Sequence, residues 1–517
     1  AHSDQNNISF LNVLADQYAA GIEQIRIDNP PRNPVEADSA QRILSKMNAS
    51  ETRIRRGISL LQSDPIAFEA FRMANEAMLH QRWATSRNAS LNGKSRSPDE
   101  VLRGFASDAE LKALAFYWRP FQIAFVLMAI ESLVNNESED RDIVDLIWFP
   151  TGGGKTEAYL LLAAFEIFRR RLTLKNKGAG TAVISRYTLR LLTSQQFERT
   201  SILVCAMERI RIKHTEQLGS EKITIGLWVG QDNTPNTLIN AREKVEILDP
   251  AERPINPFAI QRCPWCQTRL IPKPSDKNLQ MGFIASNQEF KILCPNQTCE
   301  FHNEIPVQVV DEAMYLQPPS ILLAVVDKFA QLPRNPEIRK FLGGDPRYLA
   351  PTLLIQDELH MLGSALGTVF GVYEAAINSI IEILSGGIRP KIIASTATIR
   401  DSNRQIRNLF GRDGEVFPPP GLEHGNSFFG KVNPNTRGRL YIGVLSPNHT
   451  PSTSLIRVAA LLAQATKHCS LTTDELDAYW TNIIYHNSLR LLGRTRNFAV
   501  DDIPDWLKIV SMNSKSA

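Results

Sequence analysis

Apolar residues along this chain follow two rhythms that change near residue 101. Before it they recur at helical spacing: Ile58, Leu60, Leu61, Ile66, Phe68, Phe71 and Met78 fit helix faces on either side of a break at Pro65. The stretch from Asn88 to Pro98, rich in Ser, Asn, Gly and Lys, reads as a loop closing an N-terminal helical region over residues 1–100. From 101 to 425, short β-rich runs alternate with helical stretches, with candidate strands at 144–149, 181–185, 223–229, 321–326, 352–356 and 391–395. That alternation predicts an α/β fold, a parallel sheet covered by helices. After the Pro-rich break at 417–421, the runs 439–445 and 481–486 read as the first strands of a second sheet within 426–517.

The strand at 144–149 runs into Pro150-Thr151-Gly152-Gly153-Gly154-Lys155-Thr156, and a helical pattern follows. Strand, glycine loop and helix is the setting a phosphate-binding loop needs. Glycines let backbone N–H groups converge on one centre, and the helix start adds its positive dipole end. In that geometry Thr151, Gly152, Gly153 and Gly154 cradle phosphates, Lys155 reaches the β- and γ-phosphates of ATP, and the Thr156 hydroxyl ligates Mg²⁺.

A second apolar strand ends in Asp357-Glu358-Leu359-His360. Carboxylates at the C-terminal edge of a parallel sheet sit where such sheets hold their ligands. Asp357 is the candidate magnesium ligand, Glu358 the base that polarises water, and His360 a link to neighbouring loops. The strand at 391–395 ends in Ser395, Thr396, Ala397 and Thr398; those hydroxyls can bond the acidic loop and sense the γ-phosphate, although a Ser/Thr helix cap explains them equally well in isolation. Upstream, Arg119-Pro120-Phe121-Gln122 offers a carboxamide able to pair with adenine, or simply a helix start at Pro120. For nucleic acid, the candidate contacts are Arg186, Thr188, Arg190 and Gln195 after the strand at 181–185, with Asp327 and Lys328 after that at 321–326, although either set reads equally as polar residues capping the sheet.

From Lys155 to Asp357 is 202 positions, more than a few strand–helix units of about 30 residues need. An insertion is therefore expected, and four of the six cysteines lie there. Cys263 and Cys266 form one knuckle and Cys294 and Cys299 another, with twenty-seven residues between them. That spacing predicts a four-cysteine zinc ribbon over 250–310, structural because four thiolates leave no open position, with His302 as a reserve ligand.

Composition narrows the rest. A net charge of +4 neither demands nor excludes nucleic acid. The clusters Arg169-Arg170-Arg171 with Lys175 and Lys177, and Arg209, Arg211, Lys213, His214, read singly as solvated faces. Paired rather than framework cysteines, no apolar run of roughly 18 residues and no basic-then-apolar start favour a cytoplasmic protein.

Taken in order, Arg-Pro-Phe-Gln, Pro-Thr-Gly-Gly-Gly-Lys-Thr, Thr-Leu-Arg, Asp-Glu-Leu-His and Ser-Thr-Ala-Thr resemble the first RecA-like lobe of a superfamily 2 DExH helicase. Phe149, where the strict loop pattern wants glycine, fits the form of the loop in that superfamily. Residues 148–159, 186–196, 326–330 and 485–493 further resemble the DrmA family, the helicase-like subunits of bacterial DISARM anti-phage defence systems. The resemblance implies ATP-driven action on DNA, a DrmB-like partner subunit and a role against phage DNA. It also implies that 426–517 begins a second RecA-like lobe, with Arg490 and Arg494 too early in it to serve as arginine fingers. A nucleotide-gated DNA-binding scaffold without processive unwinding is the alternative reading.

Overall fold

Each of the six apolar runs before residue 400 becomes a strand of one sheet. β1 (Val144–Trp148), β2 (Val183–Tyr187), β3 (Ile225–Trp228), β6 (Val307–Gln308), β7 (Ile321–Val325), β8 (Leu353–Gln356), β9 (Lys391–Thr396) and β10 (Gly414–Phe417) lie in the order β10-β1-β9-β8-β2-β7-β3-β6. Every pairing between them is parallel. β4 (Phe283–Ala285) and β5 (Phe290–Ile292) form a separate antiparallel pair. The computed structural model describes residues 8–90, 116–149, 153–187, 194–230, 234–248, 255–272, 280–396, 401–423, 425–433, 435, 438–469 and 471–514. One compact unit reaches Val432 and a second begins at Asn433.

β2, β7, β8 and β9 are buried along their whole length, as expected of parallel strands covered on both faces. The result is a RecA-like lobe, in which one strand, β9, separates the strand of the glycine loop from the strand of the acid pair. β10 and β6 were not visible in the sequence: each is short and carries polar residues (Glu415, Gln308) that break an apolar run.

The helices α1 (Ser9–Asp28), α2 (Pro34–Ser63), α3 (Pro65–Ser90), α4 (Pro120–Val134), α5 (Lys155–Leu174), α6 (Ser194–Lys213) and α7 (Ser364–Leu384) build on this sheet. α2 ends at Ser63 and α3 starts at Pro65, the break read from the sequence. α3 runs on through Ser90, past the expected loop start at Asn88, and the rest of that loop lies outside the described residues. The N-terminal helices share one hydrophobic core with the sheet, continuous from Ile8 to Phe417. α2 packs on α4, and α3 on α5 and α6. At the first crossing a Cβ on Gly57 would meet the Leu127 carbonyl oxygen at 1.9 Å, so only glycine permits that approach.

A buried ion cluster ties α2 to the sheet. The Asp145 carboxylate of β1 takes two 2.8 Å hydrogen bonds from the Arg53 guanidinium and lies 2.9 Å from Lys391 Nζ on β9. Burial pushes the Lys391 ammonium down to about 8, against the pull of Asp145.

Within the basic clusters Arg170, Arg171, Arg209 and Arg211 are buried rather than solvated, while Lys175, Lys177 and Lys213 are exposed as expected. Arg170 donates to the Ala350 carbonyl at 3.0 Å and Arg171 to that of Leu218 at 2.8 Å, both buried. Arg211 pairs with Glu208 at 2.7 Å, also buried. These cations close loop carbonyls that lack a ladder partner. Residues Gly367–Leu384 of α7 are long and apolar enough to cross a membrane by length and composition alone. Phe370, Ile377 and Ile381 pack in the core, however, and Glu374 pairs with the buried Arg186.

The second unit contains helices α8 (Pro451–His468), α9 (Thr473–Ala478), α10 (Leu489–Val500) and α11 (Asp502–Ser514). The strands expected at 439–445 and 481–486 are a correction: both segments have no strand structure. Leu440, Tyr441, Leu445, Ile483 and Tyr485 are exposed. Their β-like alternation finds no ladder partner among the described residues, and a strand without a ladder leaves its backbone to water.

Candidate nucleotide-binding site

The loops after β1 and β8 deliver Gly154, Lys155, Thr156, Asp357 and Glu358 to one cleft of about 780 Å³, and the end of β9 is hydrogen-bonded to both. Lys155 begins α5 and is nearly buried, its Nζ donating to the carbonyls of Phe149 and Thr396 at 3.0 Å each. Burial lowers the Lys155 pKa, while Glu358 and Asp357 pull it back up. Before it, Gly154 holds φ +92°, and a Cβ there would meet Gln122 Nε2 at 2.6 Å. Phe149 stacks its ring on Phe121, centroids 3.8 Å apart, which accounts for an aromatic where the strict loop has glycine. Thr151 and Gly152 lie outside the described residues.

Asp357 is the hub of the acid loop. Its Oδ2 accepts from the Tyr159 hydroxyl at 2.8 Å and from Gln196 Nε2 at 3.2 Å. Its Oδ1 accepts from the Glu358 N–H at 2.9 Å and from the Ser395 hydroxyl. The Tyr159 oxygen also lies 3.2 Å from Thr156 Oγ1, so the two expected magnesium-side oxygens share one neighbour. Glu358 sits at φ 48°, a left-handed backbone unusual for a side-chain-bearing residue and concentrated at functional sites. Burial first, and then Asp357, raise its pKa; Lys155 and His360 oppose the shift. His360 Nδ1 lies 3.2 Å from Thr396 Oγ1 and 3.3 Å from Glu358 Oε2. Ser395 and Thr396 therefore contact the acid loop directly, beyond any capping role; Thr398 lies outside the described residues.

Arg119 and Gln122 serve the loop's position. Gln122 Oε1 accepts the Arg119 N–H at 2.9 Å, its Nε2 donates to the Gly154 carbonyl at 2.7 Å, and Arg119 Nη1 donates to the Gly153 carbonyl at 2.8 Å. The helix start at Pro120 and the glycine loop are thereby one rigid assembly, and the adenine-facing carboxamide expected of Gln122 is largely committed to it.

The nucleic-acid candidates fare differently. Arg186 is fully buried, paired with Glu374 and lying under the Phe370 ring at 5.3 Å, so it cannot reach a phosphate backbone. Lys328 is buried in an ion pair with Asp311 at 2.6 Å. Both are sheet-capping residues instead, because interior strands of a parallel sheet also end in charged residues that neighbouring helices neutralise. Asp327 is exposed, where its charge opposes phosphate. Gln195 is exposed and lines the nucleotide cleft; Thr188 and Arg190 lie outside the described residues.

Sequence reasoning missed Tyr159, Gln196, Glu157 and Arg199, all lining or bonded into the cleft, and Asn75 and Arg82, which bring α3 into its wall beside Trp118, a residue the sequence does offer as an apolar wall. Trp118 Nε1 donates to Asn75 Oδ1 at 2.8 Å, locking that wall. Tyr159 follows Lys155 by four positions and so shares its helix face, a signal that was legible. Nothing local connects residues 75–82 to a loop seventy positions later.

Across the inserted segment, Cys263, Cys266, Cys294 and Cys299 are buried with all four sulfurs within 4.8 Å of one another. The Sγ separations include 3.4 Å (Cys266–Cys294) and 3.9 Å (Cys263–Cys299). A tetrahedral ion with bonds of about 2.3 Å holds its sulfurs about 3.8 Å apart, so the donor set fits a closed metal site. His302 is no ligand: its Nδ1 lies 2.8 Å from the Cys294 carbonyl oxygen, and Cys299 fills the fourth position.

No family model matches the chain. The whole chain aligns at 35% identity with the DISARM protein DrmA of Bacillus paralicheniformis and spans 49% of that protein's length. Among solved structures, a DUF1998 helicase, MrfA, bound to DNA overlaps 57% of this chain and 26% of its own, at 11% identity and a TM-score of 0.31. The Mycobacterium smegmatis helicase Lhr, bound to ssDNA and AMP-PNP, overlaps 62% of this chain and 28% of its own, at 17% identity and a TM-score of 0.34. Overlaps that loose carry no argument, and the fold rests on the strand order.

Proposed function

We propose, for a chain related to DrmA along its whole length, that it is the nucleotide-binding part of a helicase-like ATPase of anti-phage defence, hydrolysing Mg-ATP to act on DNA in the bacterial cytoplasm. The observation that carries this reading is the meeting of Lys155 and Asp357 at one cleft, tied together through β9 by hydrogen bonds from Lys155 to the Thr396 carbonyl and from the Ser395 hydroxyl to Asp357.

In this reading Gly153, Gly154 and the start of α5 present backbone N–H groups to the phosphates, and Lys155 exchanges its two carbonyl partners for phosphate oxygens. Thr156 and Asp357 would hold magnesium, and the fit is chemical: a hydroxyl and a carboxylate gathered around the Tyr159 oxygen are the hard oxygen donors this ion takes. Bound there, the ion would neutralise charge on the β- and γ-phosphates. Glu358, kept basic by burial and by Asp357, orients the attacking water. Thr396 links the Lys155 amine to His360, so a change at the phosphates reaches the acid loop through one strand end. The four-cysteine cluster would hold zinc structurally. A DrmB-like subunit and DNA are the proposed partners.

ATP turnover measured across a panel of DNA ends and overhangs, with and without the partner subunit, tests this. Lys155→Ala is expected to lose nucleotide binding, and Glu358→Gln to retain binding while losing turnover by about two orders of magnitude or more. Unchanged turnover in either variant rejects the assignment. ATP-dependent DNA binding with no strand displacement would favour the gated scaffold instead.

A further inference from the structure

Two arginines from separate helices enter the cleft that holds Lys155. Arg82 comes from α3 in the N-terminal region, and Arg199 from α6. The Arg82 guanidinium lies over the Phe116 ring at 5.2 Å, and Arg199 pairs with Glu157 of α5. Of the nearby groups, then, one carboxylate serves Arg199 directly, while Asp357 and Glu358 face Lys155 and His360. Burial lowers the Arg199 pKa, and the Arg82 charge lowers it further. Guanidinium groups do not give up their proton in proteins. Two of them held in mutual repulsion at a cleft wall therefore carry a cost that an anion between them removes.

We propose that Arg82 and Arg199 form a clamp on the phosphate chain of the nucleoside triphosphate seated on Lys155, so that helix α3 is part of the nucleotide site. This rests on the nucleotide reading above and adds to it a second set of phosphate donors, supplied from outside the sheet's own loops. Guanidinium forks match phosphate oxygens two at a time, which an ammonium cannot do. The wall is rigid enough to hold such a fork in place, because Trp118 is fixed to Asn75 on α3 at one end of the cavity and Gln196 of α6 is fixed to Asp357. An alternative anion, a nucleic-acid phosphate, is disfavoured by the position of both arginines in the same cavity as the glycine loop rather than on an open face.

Equilibrium binding of adenosine, AMP, ADP and ATP with Mg²⁺ tests the clamp, using the 517-residue chain, its Arg82→Gln, Arg82→Lys and Arg199→Gln variants, and Lys155→Ala. Arg82→Gln is expected to weaken ATP about tenfold and adenosine not at all, with Arg82→Lys intermediate. The first member of the ligand series to show the loss identifies the phosphate that is held. Melting temperature should stay unchanged for Arg82→Gln, since that side chain is exposed. If Lys155→Ala abolishes ATP binding while both arginine variants bind ATP as the wild type does, the clamp is wrong and the nucleotide reading stands. If the arginine variants lose adenosine and ATP equally, or lose DNA affinity in place of ATP affinity, the clamp is likewise overturned. Should the unaltered chain bind no ATP, both fall together.

Discussion

Gly154 and Lys391 show how single residues constrain this fold from opposite ends of the sheet. Gly154 needs φ +92° and has Gln122 Nε2 where a Cβ would go. Gly154→Ala therefore costs about 1–2 kcal/mol of backbone strain and displaces the amide that holds the loop. Nucleotide affinity should fall at least tenfold, read by titration of a fluorescent ATP analogue; wild-type affinity in that variant would show the loop is held by something else. At the other end, Lys391 loses its proton at about 8 in the fold, against 10.5 ordinarily. Between those values the unfolded chain binds more protons than the folded one, so this group makes stability rise with pH across that window. Below it, the folded chain bears the cost of a buried ammonium that Asp145 only partly offsets. Melting curves of the wild type and Lys391→Met, taken from pH 7 to 11, should differ in slope in that sense. Parallel curves would mean that Lys391 titrates normally.

At the scale of elements, the cysteine knuckles are placed to brace the cleft from behind. Asn88 of α3 donates to the Pro264 carbonyl at 3.1 Å, and the Trp83 and Trp265 rings lie 6.3 Å apart. On α6, Glu198 accepts from Gln267 at 3.0 Å and Arg209 lies over Trp265 at 5.3 Å. The same two helices carry Arg82, Gln196 and Arg199 into the cleft. Cys266→Ser, or chelation, should release one equivalent of metal, lower the melting temperature by several degrees and weaken ATP binding in parallel. Metal content by mass spectrometry and nucleotide titration check both halves, and a metal-free chain with intact ATP affinity would separate the knuckle from the site. These elements were also unequally legible beforehand. Interior strands announce themselves as apolar runs, and Lys155, Asp357 and Ser395 stand at or just beyond their C-terminal ends, where parallel sheets hold ligands. Arg186 ends the same kind of run, but its partner Glu374 is supplied 188 positions later, so burial was invisible. The runs at 439–445 and 481–486 have strand composition, yet composition cannot supply the neighbour that a ladder requires.

Over the whole molecule, the division at Val432 decides what each part can do alone. Every residue lining the cleft, from Asn75 to Glu358, belongs to the first unit, whose core runs unbroken from α1 to β10. A protein ending at Val432 should therefore fold, hold its metal and bind ATP with the affinity of the longer chain. Hydrolysis is another matter: in the ATPase reading proposed above, an arginine from outside this unit would stabilise charge on the transferring phosphoryl group. Residues 433–514 carry Arg490 and Arg494 on α10, a helix almost wholly exposed in its own unit. If they are too early in a second lobe to act as fingers, Arg490→Ala and Arg494→Ala will leave turnover in the complete protein within about twofold of wild type, while ATP binding by the first unit stays intact. A loss of about a hundredfold or more in either variant, with unchanged ATP binding, would instead make that residue the finger and place the boundary of the catalytic machinery beyond Val432.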